Sequence, residues 1–428
     1  MQEYELSTLP TGERLITEAV PSVRSISLGF WVGTGSRDET EARAGVSHFI
    51  EHLLFKGSQR HSAQEIAEIF DTLGGELNAA TARETTVIYA RVPDDRLETA
   101  LDVMVGMVYE PVFAEVDSER EVVLEEIAMV EDNPQELVHD IVSEAIFGGH
   151  QLGRPVIGRA EVISSVSRRA ISAYHRRAYT APNLVVAAAG NLEHERLAEL
   201  LAARLPATTA VPRRARRPVG RRLPPGLRFQ SKPTEQYNVC LGAPGVSRRD
   251  DRRFAASLLD AILGGSASSR LFQEIREKRG MAYSVYSFAS QYSDAGQIGL
   301  YVGTREENLV ECLEIAAREL SDVAAGNVRP GELERAKENL KGRMLLSLES
   351  TSNRMSRLGR SLLTDTELLT LDELIERIDV VEPEDIAALA TNLLALDGLS
   401  AAGIGPDEGR FRAAVEQVNP ALVAQAAA

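Results

Sequence analysis

Hydrophobic and polar positions follow two different periods along the chain, and each period predicts one kind of element. Residues 25–32 alternate apolar with small or polar side chains, which predicts a strand, and the apolar run 184–189 predicts a buried strand. Apolar residues recur at helical spacing in residues 42–55 and 115–131, which predicts two helices. The chain therefore combines helices with sheet.

Between these two helices the sequence predicts a third helix and a strand. Ser62 and Glu65 form a capping-box pattern that opens a helix, and Gly74-Gly75 closes it. Residues 76–92, which become β-branched and aromatic toward their end, predict one long strand.

The element order of the first half returns in the second half. Predicted strands at residues 237–242, 283–292 and 297–303 are followed by helices and by the strand 399–405, which resembles 184–190. The repeat predicts an α/β (α+β) fold by internal duplication, with homologous domains at 1–210 and 227–428.

The two predicted domains are joined by a segment rich in proline and arginine, residues 211–226. Such a proline density favours an extended connector over a helix or a central strand. The arginines have two readings, a polyanion site or a solvated linker that pairs with acidic surfaces, and we favour the linker. They are Arg213, Arg214, Arg216, Arg217, Arg221 and Arg222.

The composition of the chain limits which partners and which cell compartment we expect. A net charge of −16 over 428 residues argues against nucleic acid as the main partner. Either the charge steers basic peptides or it only keeps the protein in solution. The chain shows no membrane span, no signal peptide at its start, and only Cys240 and Cys312, so we expect a cytoplasmic protein in a reducing compartment. Its glycine-rich turns lack a phosphate-loop lysine, so no nucleotide is expected.

The first predicted helix carries the pattern with the clearest chemistry, H-x-x-E-H. His48 and His52 are four residues apart and share one helix face, with Glu51 beside them. Two neutral imidazoles at that spacing can hold Zn²⁺, and a neighbouring carboxylate can accept the proton of an attacking water. The structural alternative is a pair of surface histidines with a solvated glutamate.

A hydrolytic zinc site needs a third protein ligand, and the acidic helix 115–131 can supply it. Glu119 and Glu126 are seven residues apart, which is two helical turns, so both point the same way. The spacing does not choose between them.

A family resemblance extends these motifs. Residues 46–57 with 119–127 resemble the M16 (pitrilysin, inverzincin) zinc metallopeptidases, in particular short bacterial members similar to the mitochondrial processing peptidase β subunit. The resemblance implies a mostly antiparallel sheet packed with helices in each domain. It also implies that Glu126 is the zinc ligand. Glu119 would then contact one of the ligands and either orient it or tune its basicity.

The same resemblance implies a function and further site residues. We expect a zinc metalloendopeptidase with one Zn²⁺ per chain, in which Glu51 is the general base. It would cleave peptides or unfolded, extended segments inside a two-domain chamber as a bacterial cytoplasmic homodimer, without nucleic acid, nucleotide or membrane. Residues 74–81 resemble the edge strand that aligns substrate through Asn78 and Ala79, and Arg276 with Tyr283 resembles the pair that holds substrate backbone from the second domain.

The second copy lacks the metal motif. Ala256 and Asp260 stand opposite His48 and His52, and Lys341 stands opposite Glu126. A lysine there would repel a cation, so we expect only the first domain to bind zinc. The alternative function is a non-catalytic or partner-dependent M16-like scaffold subunit, although such chains usually lack part of the motif that this one keeps.

Overall fold

The computed structural model describes residues 4–206, 215–220 and 223–427. The strands are β1 Glu5–Thr8, β2 Arg14–Ala19, β3 Ser25–Val32, β4 Glu76–Thr81, β5 Thr86–Pro93, β6 Leu184–Gly190, β7 Leu227–Ser231, β8 Gln236–Gly245, β9 Ala282–Gln291, β10 Gly296–Arg305 and β11 Ser400–Gly405. The helices are α1 Val46–Leu54, α2 Ala63–Leu73, α3 Leu97–Tyr109, α4 Val116–Asp132, α5 Pro134–Phe147, α6 Ala160–Ser165, α7 Arg168–Ala178, α8 His194–Ala202, α9 Arg253–Leu263, α10 Leu309–Ala324, α11 Glu332–Ser347, α12 Thr351–Leu363, α13 Leu371–Asp379, α14 Pro383–Leu393, α15 Glu408–Glu416 and α16 Pro420–Ala427. None of these helices combines the length and the apolar character that a membrane crossing would require.

The strands form two sheets with the same internal order. The first sheet runs β1-β2-β6-β3-β5-β4 and the second runs β7-β11-β8-β10-β9. In each sheet one pair is parallel, β2 with β6 and β7 with β11, while the other neighbours are antiparallel. Without β1 the two orders correspond strand for strand. The predicted fold class, with two homologous, mostly antiparallel domains, is confirmed.

The described residues form two compact units, and each unit takes a helix from the opposite half of the sequence. The first unit consists of the chain up to Ala128, the segment from Pro155 to Arg217, and Leu345–Thr370; the second consists of Met129–Arg154, Pro218–Met344 and the chain from Leu371 onward. In the first unit α12 packs on β3 and β6, and in the second α5 packs on β8 and β11. The predicted domains were continuous in sequence, whereas these units are not.

Alternation along β3 decides which helices cover each face of the first sheet. Leu28 and Phe30 lie in the main core with α1 and α3, and Trp31 lies on the other face against α12. The Trp31 Nε1 atom is 3.3 Å from the Met355 Sδ atom. Gly359 is required there because a Cβ atom would stand 2.2 Å from Trp31 Nε1.

The predicted ends of β3 and α2 agree with the structure, whereas those of α1 and of the strand region 76–92 do not. β3 coincides with the predicted strand 25–32, and α2 has the predicted Ser62 capping box and a left-handed Gly74 at its end. The predicted helix 42–55 is shorter, since a 3-10 turn at Glu41–Arg43 precedes α1. The single strand predicted at 76–92 was wrong, because the chain turns back at residues 82–85 and forms the antiparallel pair β4 and β5.

The connector was expected to be extended, and its described residues 215–220 and 223–226 form neither helix nor strand. Solvated arginines that pair with acidic surfaces were also expected there. Arg216 does pair with acidic residues, but the expectation that it is solvated was wrong. Its guanidinium is largely buried, lies 2.8 Å from Asp38 and 3.3 Å from Glu84, and donates to the Gly33 carbonyl. Arg213, Arg214, Arg221 and Arg222 lie outside the described residues.

Candidate metal centre

The helix that carries H-x-x-E-H begins at a buried carboxylate. Gly45, with φ of 93°, turns the chain into α1, and Glu39 accepts hydrogen bonds from the backbone nitrogens of Gly45 at 2.7 Å and Ser47 at 2.6 Å. A carboxylate at this end satisfies free amide groups and complements the helix dipole. Phe49 and Leu53 are fully buried, so His48, Glu51 and His52 are left on the half-buried side of the helix.

The acidic helix is fixed by one apolar face and one arginine. Val123 and Ile127 of α4 are buried, and Arg120 donates to the backbone carbonyls of Ile163 and Val166, the latter at 3.0 Å. This packing orients the face that carries the two candidate glutamates toward α1.

Three donor atoms from α1 and α4 come together. The Oε2 atom of Glu126 lies 3.3 Å from Nε2 of His52 and 3.7 Å from Nε2 of His48. One ligand atom from each residue lies within 4.8 Å of the others, and this is the one such group of three or more His, Cys, Asp or Glu side chains in the described part of the chain. Ligands bound tetrahedrally at about 2.1 Å are separated by roughly 3.4 Å, so the donors fit zinc.

Glu119 takes a different position from Glu126. Its Oε1 atom is 2.9 Å from Nδ1 of His52, and its Oε2 atom is 2.7 Å from Nζ of Lys56. Since a carboxylate accepts, Nδ1 of His52 is the donor in this contact, and Nε2 is the ring nitrogen that faces the cluster. Glu119 thus contacts the back of the His52 ring, and Lys56 compensates its charge.

Burial sets the protonation state of His48. Burial first, and the neighbouring His52 second, lower the pKa of His48 to about 4, so its imidazole is neutral at neutral pH. A neutral ring is the form that binds a metal. Its ring Nδ1 atom is buried and has no hydrogen-bond partner among the described residues.

Glu51 lies beside the cluster in a partly desolvated position. Burial is the largest influence and raises the pKa of its carboxyl, while hydrogen bonds from the Thr81 side chain and backbone and the nearby His52 act in the opposite direction. Its Oε2 atom is buried without a partner in the described residues, as is the Tyr179 hydroxyl. Burial first, and the Glu51 charge second, raise the pKa of Tyr179.

The predicted substrate residues lie on two separate units. Asn78 and Ala79 belong to β4, the outermost strand of the first sheet, and the Asn78 Oδ1 atom accepts from the Ala79 backbone nitrogen at 2.8 Å. In the second unit, Arg276 lies in the π-helical turn Phe272–Glu277. Its Cζ atom is 4.5 Å from the centre of the Tyr283 ring, and its guanidinium donates to the Tyr283 carbonyl at 3.0 Å. Tyr283 is 80% exposed.

Sequence reasoning missed two residues that hold this site, Glu39 and Lys56. Glu39 reaches the start of α1 from the far side of the 3-10 turn Glu41–Arg43, so no pattern next to the helix reveals it. The role of Lys56 depends on its contact with Glu119, which no local pattern shows.

Histidines outside the motif serve packing. His194 contacts the hydroxyls of Thr17 at 2.8 Å and Ser7 at 2.9 Å, and His175 Nε2 contacts the Val108 carbonyl at 2.9 Å. His150 Nδ1 accepts from the backbone nitrogen of Leu152.

With the fold and the site described, comparison with known proteins identifies the family. Residues 14–160 match the family model described as Insulinase (Peptidase family M16), and residues 165–340 match the model described as Peptidase M16 inactive domain. The chain is 43% identical over 399 residues to an uncharacterized zinc protease of Streptomyces coelicolor, an alignment that covers 91% of this chain and 86% of that protein. It is 39% identical over 399 residues to the uncharacterized zinc protease YmxG of Bacillus subtilis, covering 91% and 95% of the two chains.

The chain therefore belongs to peptidase family M16, and the family together with the names of its relatives supports a zinc metallopeptidase. Solved structures agree on the fold. A protease from Helicobacter pylori superposes with a TM-score of 0.87 at 21% identity, covering 94% of this chain and 100% of that one. A chain of Complex III2 from Candida albicans gives 0.84 at 20% identity, covering 97% and 99%.

Proposed function

We propose that the chain is a zinc-dependent endopeptidase that cleaves peptides or unfolded, extended segments. The observation that carries the proposal is the convergence of Nε2 of His48, Nε2 of His52 and Oε2 of Glu126, with the Glu51 carboxylate on the same helix. Family membership supports the same reaction class.

Each of these residues would have a separate role in the reaction. His48, His52 and Glu126 would hold one zinc ion, which when bound acidifies a water molecule and polarises the scissile carbonyl. Glu51 would accept the proton at Oε2, the oxygen without a protein partner, and return it to the leaving amine. Glu119 would keep the His52 ring oriented through Nδ1.

The substrate would be held mainly by its backbone. β4 is a sheet edge, and Asn78 and Ala80 are exposed on it, so an extended peptide could add as a further strand. Such binding favours loose sequence specificity. We also propose that Arg276 and Tyr283 contact the substrate, that basic peptides are preferred, and that cleavage takes place inside a chamber.

A purified single chain tests the proposal against the scaffold alternative. We expect cleavage of unfolded peptides, loss of cleavage with a chelator, and recovery on addition of zinc. Light scattering is expected to show a homodimer. A zinc-loaded, folded protein that cleaves no unfolded peptide would favour the non-catalytic or partner-dependent subunit.

A further inference from the structure

One arginine of the connector, Arg216, lies inside the first unit. Its Nε and Nη2 atoms donate to the two carboxylate oxygens of Asp38 at 2.9 and 2.8 Å, and its Nη1 atom is 3.3 Å from Oε1 of Glu84. Nη2 also donates to the backbone carbonyls of Gly33 at 3.2 Å and Glu84 at 2.5 Å. Arg216 thus joins the loop after β3 to the turn between β4 and β5.

A second arginine holds the same turn. Nη1 of Arg37, in the loop after β3, is 2.7 Å from Oε1 of Glu84, and the two side chains are 1% and 3% exposed. The Arg37 backbone nitrogen donates to the Arg83 carbonyl at 2.7 Å, and its guanidinium donates to the Arg217 carbonyl at 3.0 Å. Glu84 therefore contacts two guanidinium groups. A buried carboxylate depends on such partners, because an uncompensated buried charge is costly.

The turn that these arginines hold follows directly on the edge strand β4. β4 is the outermost strand of the first sheet and pairs with β5, and residues 82–85 connect the two strands. The loop after β3 also contacts this turn through its backbone, since the Ser36 nitrogen donates to the Ala82 carbonyl at 3.2 Å. An edge strand has a partner strand on one side, so contacts at its turn help to fix its position. The ion pairs of Glu84 are contacts of this kind.

We propose that Arg216 of the connector is a positioning residue for peptide substrate, which acts through Glu84 on the pairing edge of β4. The metal ligands would be affected less, because the helix that carries His48 and His52 begins at the cap made by Glu39. This inference rests on the proposed function, since it takes the pairing of an extended substrate with β4 from there.

Arg216→Met tests the inference on the zinc-loaded full-length protein, with a long unfolded peptide as substrate. The Asp38 and Glu84 carboxylates each lose one charged partner, so the turn loosens and substrate binds less well. KM should rise roughly tenfold while kcat stays within about twofold, the pattern expected when binding alone is lost. Arg216→Lys keeps the charge and should give a KM between these values. Arg217→Met, at the next and exposed residue, is the matched control and should keep both constants.

A double-mutant cycle shows whether Arg216 acts through Glu84. Glu84→Gln should also raise KM, and its combination with Arg216→Met should raise KM little further, because both substitutions remove the same contact. Zinc content and melting temperature are measured for every variant. If Arg216→Met does not fold, the KM of Arg216→Lys decides, with a rise expected over that of the wild type.

Wild-type KM in the folded Arg216 variants, an equal rise in Arg217→Met, or KM effects that multiply in the double variant would overturn the inference. Loss of zinc in place of a rise in KM would overturn it as well. A zinc-loaded wild type that cleaves no unfolded peptide would contradict the proposed function instead. Cleavage by the wild type with an unchanged KM in Arg216→Met would remove only the role of Arg216.

Discussion

The two units build the same sheet but differ on the helix that follows its central strand. In the first unit α1 carries His48, Glu51 and His52, and in the second α9 carries Ala256, Leu259 and Asp260 at the corresponding positions. Ala256 and Leu259 are buried in the apolar packing of α9. The metal motif therefore occupies positions that the fold can fill with ordinary core residues.

The acidic helices differ in the same way. The Glu119 side chain is 6% exposed and joins His52 to Lys56, whereas the corresponding Glu334 side chain is 73% exposed. Lys341, opposite Glu126, pairs with Glu338 at 2.6 Å and Asp379 at 2.8 Å. Stability comes from the shared sheet and helix packing, and the candidate chemistry comes from a few side chains that only one copy has.

The largest expected effect is on turnover at Glu51, and an acidic residue of α9 in the second unit supplies the control. Glu51→Gln should keep zinc and lower kcat by about 10⁴-fold, because the amide cannot accept the proton. Asp260→Asn, at a half-buried position in the corresponding helix of the second unit, is the control and should keep kcat. Steady-state peptide cleavage measures both, and wild-type turnover in Glu51→Gln would exclude Glu51 as the base.

A smaller effect is expected at the residue that orients His52. Glu119→Gln should weaken zinc affinity about 10- to 100-fold, because the charge-assisted bond to His52 Nδ1 becomes a neutral one. Glu334→Gln, the exposed counterpart, should leave affinity unchanged. Competition with a fluorescent chelator measures the difference, and equal affinities in the two variants would mean that Glu119 does not support zinc binding through His52.

Comparison with the structure also shows which features the sequence alone could predict. β3 and β6 were predicted within a residue or two, because an alternating or wholly apolar run has few other solutions. The turn between β4 and β5 was missed because residues 82–85 contain neither glycine nor proline. The choice of Glu126 over Glu119 came from family resemblance, since both lie on one helix face.

The exchange of α5 and α12 between the units was beyond sequence reasoning for a different reason. Each helix has an ordinary amphipathic pattern, and its partner sheet is defined only by long-range contacts. In the first unit these include Glu18 of β2, whose side chain is 4% exposed and pairs with Arg354 and Arg357 of α12. In the second, Nε2 of His139 on α5 is 2.8 Å from the Tyr286 hydroxyl.

The smallest expected effect tests the exchanged helix of the first unit. Arg354→Met should lower the free energy of unfolding by about 2 kcal/mol, less than for a fully buried pair because the arginine is partly exposed and Arg357 remains near Glu18. Arg360→Met, on the exposed side of the same helix, should change it little. Urea denaturation compares the two, and equal stability would mean that the Glu18 pair does not anchor α12.

Metal analysis of the purified chain and of Glu126→Gln tests the central claim most directly, with Glu125→Gln on the exposed side of α4 as the matched control. The account predicts close to one zinc per chain in the wild type and in Glu125→Gln, and loss of most zinc and of cleavage in Glu126→Gln. A wild-type protein that hydrolyses peptides without metal, or a Glu126→Gln variant that retains zinc as tightly as the wild type, would contradict it.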